Sequence, residues 1–122
     1  MAKNDLINLS TMHTQRTFIN SNFTEIYNNV FPITSVSVDT VLNGTHCTVK
    51  VNATSGNKII TLPTAVGIAG KSYRIQKSDS SNNTITIACN GTQTINDSAT
   101  VTIQYKNTCL NIQSDGANWI II

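Results

Sequence analysis

The chain has 122 residues, a formal net charge of +2 and only 11% charged residues. Sixteen Asn, eighteen Thr and eleven Ser make up more than a third of it, and these side chains disfavour helices because they compete for backbone hydrogen bonds. The charge is too small and too scattered for a polybasic binder, so we expect no nucleic-acid partner. No apolar run approaches the roughly 18 residues of a membrane span, and no secretory signal is recognisable. We therefore expect a soluble, β-rich protein that has no membrane partner.

From residue 9 to residue 30, one position in every three or four is apolar, which is the spacing of a coiled-coil seam. Arg16 is the one seam position that is not apolar, and in a coiled coil its side chain would either extend outward to solvent or bind an anion. Strong helix formers are few, so an isolated helix of this length would be marginal in water. The predicted seam consists of Leu9, Met12, Ile19, Phe23, Ile26 and Val30.

Two interpretations of this helix are open. Either the helix folds back on its own domain, or it associates in parallel with copies of itself. In the second case, bulky residues at both core positions of the heptad, a and d, favour a trimer over a dimer. A further N-cap at Ser21 or Asn22, followed by Glu25, would start a second short helix instead. We expect the trimeric stem, because the domain that follows looks complete without the helix.

Phe31-Pro32 ends the helical pattern, since proline disfavours helix at the residue before it. Apolar and polar residues then alternate in short runs between turn signals such as Asn43-Gly44, which is typical of a hairpin. Seven or eight strands at roughly even spacing predict an antiparallel β-sandwich or barrel-like head over 33–122, after a docking segment and stem over 1–32. The predicted strands cover 34–41, 45–53, 58–62, 71–77, 84–89, 100–105, 110–113 and 118–122.

Alternation also predicts which side chains face the core. The predicted core positions are Cys47, Val49, Val51, Ala53, Tyr73, Ile75, Ile85, Ile87, Cys89, Val101, Ile103, Tyr105, Leu110 and Ile112. Four consecutive apolar residues end the chain, and a strand with one wet face cannot bury them all by alternation. We therefore expect a strand buried on both faces or a subunit interface at Trp119, Ile120, Ile121 and Ile122.

No residue pattern points to catalysis, a cofactor or a metal ion. The cysteines, Cys47, Cys89 and Cys109, lack zinc-site spacing and are odd in number, which argues against a disulfide framework. His13 and His46 have no nucleophile or carboxylate at a suggestive spacing, and three of the six carboxylates lie in turns. Threonine pairs at 84 and 86 and at 100 and 102 are too few to predict a flat binding surface. We expect no enzyme.

A resemblance to a known family covers about half of the chain. From residue 59 the sequence reads IITLPTAVGIAGKSYRIQKSDSSNNTITI, then GTQTIN, and it ends QSDGANWIII. This resembles a β-module of bacteriophage head-fibre and tail-fibre proteins, with a core "TLPTA…GIAGK.Y.I.K.DSS.NT.TI" and a closing "SDG.NWI". The resemblance over 59–122 implies a homotrimeric virion surface protein with a helical or fibrous N-terminal part before a β-rich head. It implies no catalytic residues.

Fibre proteins are long, whereas here the module follows only some 58 residues, and this favours a small accessory piece. We expect a phage virion structural protein, a short homotrimeric head fibre or capsid decoration protein that is assembled in the bacterial host cytoplasm. Its N-terminal segment would dock on other virion proteins of the capsid or tail.

Two other functions are weighed against this expectation. The alternative is a tail-fibre-type adhesin head that binds host surface glycan through the loops 65–70 and 78–83. In that function Tyr73 or Trp119 would stack on sugar only if exposed, and we expect both in the core. A depolymerase, the third hypothesis, predicts loss of host polysaccharide, which we do not expect.

Overall fold

Nine short strands and no helix make up residues 30–122, the part of the chain that the computed structural model describes. Most strands have only two to four residues, because Asn, Ser and Gly interrupt the β-branched runs and favour turns. The strands are β1 (Ile33–Val36), β2 (Thr40–Val41), β3 (Thr48–Val51), β4 (Lys58–Thr61), β5 (Ser72–Lys77), β6 (Ile85–Ala88), β7 (Thr100–Ile103), β8 (Cys109–Ser114) and β9 (Trp119–Ile121).

The first six strands alternate between two sheets. The five-stranded sheet has the order β1-β3-β5-β8-β9, and the four-stranded sheet has the order β2-β4-β6-β7. Strands β1, β3 and β5 are parallel, and so are β2, β4 and β6. The chain therefore winds through three coils, each of which gives one strand to each sheet. Antiparallel pairing follows only in β5–β8, β6–β7 and β8–β9.

The mainly β fold is confirmed, but the predicted antiparallel head is wrong for the first six strands. The sheets are mixed because each of the first five strands is followed by a crossing to the other sheet, whereas β6 is followed by its antiparallel neighbour β7. The predicted strand 34–41 is two strands, β1 and β2, separated by a bend at residues 37–39. Asn43-Gly44 does form a turn, with the His46 N–H donating to the Asn43 carbonyl at 3.2 Å. It joins strands of different sheets, so it is not a hairpin.

The core lies between the two sheets and consists almost entirely of aliphatic side chains. Alternation places most of them correctly: the predicted core positions in β3, β5, β6 and β8 are buried, and Cys47 and Cys89 are half-buried. Tyr73 and Trp119 pack together with ring centroids 5.6 Å apart. Tyr105 is a correction, because β7 ends at Ile103 and the Tyr105 side chain lies exposed in the turn that follows.

The two ends of the head, where the edge strands of the two sheets lie, differ. At one end the β6–β7 connection covers the free edge of β9: the Trp119 N–H donates to the Thr94 carbonyl at 2.9 Å, and the Asn96 N–H donates to the Trp119 carbonyl at 3.0 Å. At the other end β1 and β2 are the edge strands, and within residues 30–122 their outer edges have no strand partner. Strands β1 and β2 at this open end, and the bend between them, carry the exposed apolar residues Ile33, Val38 and Val41.

Removing aliphatic volume from the core should destabilise the head far more than a change on its surface. Ile87 is fully buried on the inner strand β6, and we expect Ile87→Ala to lower the free energy of unfolding by about 2–5 kcal/mol. The exposed control Thr102→Ala should stay within about 0.5 kcal/mol of wild type. Urea unfolding followed by the fluorescence of Trp119, the single tryptophan, measures both at equal protein concentration. Equal losses in the two variants would contradict the core assignment.

Candidate functional site

A buried ion pair lies where β5 turns toward β6. Lys77 has no exposed surface, and its Nζ lies 3.0 Å from Asp79 Oδ2. The same ammonium donates to the Asp79 carbonyl at 3.0 Å and to the Ser81 carbonyl at 2.8 Å. A buried charge is tolerated only when it is paired and fully hydrogen-bonded, and this one is. Residue 77 follows Tyr73 and Ile75 on the inner face of β5, and a buried charge was not predicted there.

The Asp79 carboxylate is also fully hydrogen-bonded. It accepts hydrogen bonds from the Ala53 N–H at 2.7 Å, from the Ser81 N–H at 3.0 Å and from the Ser81 hydroxyl. Burial raises the pKa of Asp79, but the hydrogen bonds from Ser81, Ala53 and Lys77 outweigh it and hold this pKa well below its usual range. The carboxylate is therefore ionised and fully engaged, and it serves as an anchor for the turn and not as an acid or a base.

Other reactive side chains of the described residues also have hydrogen-bond partners or lie apart from one another. The Tyr73 hydroxyl donates to the Asn43 carbonyl at 2.8 Å, and burial raises its pKa. Partial burial raises the pKa of the Cys109 thiol, while the nearby Arg74 opposes this effect. In residues 30–122 no group of three His, Cys, Asp or Glu side chains could hold a metal ion. No helix in this range is long and apolar enough to cross a membrane.

The two loops considered for glycan binding are not brought together. The loop 65–70 precedes β5 and the loop 78–83 follows it, so they lie at opposite ends of that strand. Tyr73 and Trp119 are buried, as expected, and neither can stack on a sugar. Tyr105, in contrast, is 71% exposed. Its turn is joined to the end of β5, where the Asn107 N–H donates to the Lys77 carbonyl at 2.8 Å.

Some of the residues predicted for subunit contacts are buried, and others are exposed. Trp119 is buried in its own chain, whereas Ile120, Ile121 and Ile122 are exposed at the end of β9. Of the predicted stem seam, Val30 is described and is 59% exposed. The remaining seam residues lie outside the described part of the chain: Leu9, Met12, Ile19, Phe23 and Ile26.

The outer faces of the two sheets differ in chemistry. The outer face of the five-stranded sheet carries the exposed charges of Lys50 and Arg74 among Ser, Thr, Asn and Gln side chains, with the apolar Ile33 and Ile120 on its edge strands. The outer face of the four-stranded sheet carries no ionisable side chain on its strands. We call it the threonine face, and its residues are Val41, Ile59, Thr61, Thr86, Ala88, Thr100 and Thr102.

No protein-family model matches this chain, and no curated protein matches it either. Function is therefore inferred from the sequence motifs and from the surfaces of the described residues.

Removing the charge of Asp79 should destabilise the head strongly, because it leaves the Lys77 ammonium buried without a counter-charge. We expect Asp79→Asn to cost about 3–5 kcal/mol of unfolding free energy. Asp97→Asn is a suitable control, since Asp97 is exposed and has a φ of 69°, which Asn adopts readily. Chemical unfolding at neutral pH measures both, and equal stability of the two variants would contradict the anchoring role.

The same pair predicts a pH dependence. The pKa of Asp79 is lowered in the folded state, so its contribution is complete above the ordinary aspartate pKa near 4 and declines as the pH falls below it. Wild-type stability should therefore fall in this acid range, and Asp79→Asn should show a smaller fall. Parallel slopes for the two proteins would assign the acid sensitivity to other carboxylates.

Proposed function

We propose that this protein is a structural component of a bacteriophage virion, a short homotrimeric fibre or decoration protein on the particle surface, with a head fibre as the favoured form. It docks on capsid or tail proteins through its N-terminal segment. The fibre-type module over 59–122 and the heptad seam over 9–30 motivate the proposal. Its role is structural, with no reaction to catalyse.

The observation that carries the proposal is the open end of the head. Three exposed apolar residues, Ile33, Val38 and Val41, lie within nine positions on β1, β2 and the bend between them. Exposed apolar residues at a sheet edge that lacks a strand partner are compatible with an interaction site. In the sequence they follow Val30, where the predicted stem seam ends.

The free strand edges at this end support the same proposal. An edge strand presents unpaired N–H and C=O groups, and proteins commonly protect it with charge, a bulge or a covering segment. Strand β1 has the sequence Ile-Thr-Ser-Val, which contains no charge. Assembly with other subunits or with the particle is a simple way to cover it.

We expect wild-type protein to have a solution mass of three times the 13.2 kDa of one chain. Ile19→Asp and Phe23→Asp place a charge in the predicted seam and should lower the stability of the trimer, whereas Thr100→Ala on a strand face should not. Light scattering combined with sedimentation measures the mass of each protein. A stable wild-type monomer would overturn the homotrimer, and stem variants that melt like wild type would remove residues 9–30 from the interface.

The placement on a particle has its own test. Cryo-electron microscopy of phage particles that carry a labelled copy should show the label on the outer surface of the capsid. Label confined to the tail would favour a tail appendage over a head fibre. Particles without label would contradict the virion assignment.

A second function, an adhesin head that binds host glycan, is favoured by one observation. Tyr105 is an exposed aromatic side chain on a hydrogen-bonded turn that also contains Lys106 and Asn107. An aromatic ring of this kind offers an apolar face with a polar end. If this function holds, a glycan array should give hits that Tyr105→Ala abolishes and that Lys106→Ala, its exposed neighbour, retains. An array without hits would remove the adhesin and leave the structural role intact.

A further inference from the structure

We propose that Asn90 is a site of spontaneous covalent modification, at which the folded protein converts an asparagine into an aspartyl or isoaspartyl residue. The inference does not depend on the proposed function. It rests on a comparison of two identical tripeptides, Asn-Gly-Thr, at residues 43–45 and 90–92. The first tripeptide is held by hydrogen bonds that oppose the reaction, and the second is not.

The reaction needs only the asparagine, the residue that follows it and water. The backbone nitrogen of Gly91 attacks Cγ of Asn90, loses its proton and closes a five-membered succinimide ring. The bond from Cγ to Nδ2 breaks, and the side-chain amide leaves as ammonia with that proton. Water then opens the ring at one of its two carbonyls. Attack on Cγ gives aspartate, and attack on the main-chain carbonyl gives isoaspartate.

The sequence gives the two tripeptides the same reactivity. Ring closure requires the attacking nitrogen to come within about 3–3.5 Å of Cγ in the correct orientation. Glycine after the asparagine favours this approach, because it has no Cβ and its backbone is permissive. The chain has two Asn-Gly pairs, at 43–44 and 90–91, and both are followed by threonine. All six residues are exposed, so water reaches both sites.

Asn43 is fixed through its side chain and through both of its backbone polar groups. Its Oδ1 accepts hydrogen bonds from the Thr45 N–H at 2.9 Å and from the Thr45 hydroxyl. Its N–H donates to His46 Nδ1 at 3.0 Å. Its carbonyl accepts from the His46 N–H at 3.2 Å and from the Tyr73 hydroxyl at 2.8 Å. Because this carbonyl and the Gly44 nitrogen share one peptide plane, the nitrogen cannot turn toward Cγ without breaking these bonds.

Asn90 has far fewer restraints. Its carbonyl accepts the Gln93 N–H at 3.1 Å. Its side chain has no hydrogen-bond partner within residues 30–122, and Thr92 donates nothing to it, in contrast to the equivalent threonine of the first tripeptide. The geometry of attack at Asn90 therefore costs one backbone hydrogen bond, whereas at Asn43 it costs several. Local opening of this kind precedes chemistry on a folded chain, and it is easiest where few bonds are lost.

The modified residue lies in the connection between β6 and β7, which covers the edge of β9. Conversion of Asn90 adds a carboxylate and so lowers the formal net charge of +2 by one. Isoaspartate also adds a further atom to the main chain. Three residues later, the Gln93 side chain accepts the Ala65 N–H at 2.9 Å and donates to Thr64 Oγ1 at 2.8 Å. The change therefore falls beside an anchor between this connection and the loop that precedes β5.

Peptide mapping by mass spectrometry measures both sites in the same sample of the full chain, incubated at mildly alkaline pH. In the folded protein, we expect Asn90 to be modified about tenfold faster than Asn43, or more. In concentrated guanidinium chloride, where the turns are lost, the two rates should agree within about twofold. Equal rates in the folded protein, or a faster reaction at Asn43, would overturn the inference. Protection of Asn90 in the folded protein would also overturn it.

A matched pair of variants tests the hydrogen bonds themselves. Thr45→Val removes the hydroxyl that donates to Asn43 Oδ1, and Thr92→Val makes the same change in the other tripeptide. We expect Thr45→Val to accelerate modification of Asn43 several-fold, more so when combined with Tyr73→Phe, and Thr92→Val to leave the rate at Asn90 unchanged. Circular dichroism checks that each variant is folded. An unchanged rate at Asn43 in the folded Thr45→Val protein and in the folded double variant would overturn the protection assigned to these bonds.

Discussion

The fold depends on the crossing of the chain from one sheet to the other after almost every strand. Each strand from β1 to β4 pairs in parallel with the strand that lies two places further along the chain. No pair among these strands is formed by a local hairpin, so nearly all sheet contacts are long-range and carry a high cost of loop closure. The corners where the chain crosses must therefore be held firmly. At these corners side chains add hydrogen bonds to those that the backbone makes, such as the Ser78 N–H to the Val51 carbonyl at 2.9 Å.

The buried Lys77–Asp79 pair is the centre of one such corner. Asp79 accepts the N–H of Ala53, which lies in the turn of the preceding coil, and the Asn83 amide donates to the Ala53 carbonyl at 2.8 Å. In a further hydrogen bond between these turns, the Thr84 N–H donates to Asn57 Oδ1 at 2.9 Å. Short polar side chains thus join successive turns, much as backbone groups join successive strands. This use accounts for some of the excess of Asn and Ser, because these side chains reach nearby backbone groups readily.

The features that depend on the residue pattern of a single strand were predicted from the sequence. Those that depend on neighbouring strands or on hydrogen-bond partners were missed. A period of two residues correctly placed Val49, Ile75 and Ile87 in the core, because alternation is a property of each strand by itself. The same pattern is compatible with parallel and antiparallel neighbours, so the antiparallel sandwich did not follow from it. Burial of Lys77 depends on acceptors from Asp79 and Ser81, which only the folded turn supplies. The exposure of Tyr105 follows from the end of β7 at Ile103, and strand ends are the least certain part of such predictions.

The threonine face likewise combines a feature that the sequence shows with one that requires neighbouring strands. Its threonines are visible in the sequence, but their alignment across β4, β6 and β7 requires the register of three strands. Once aligned, they form an uncharged surface, and at the far end of the head the β6–β7 connection covers the edge of β9. The two ends of the head therefore differ. We expect further contacts at β1 and β2, whose outer edges have no strand partner within residues 30–122, and this difference between the ends is compatible with the proposed docking through the N-terminal segment.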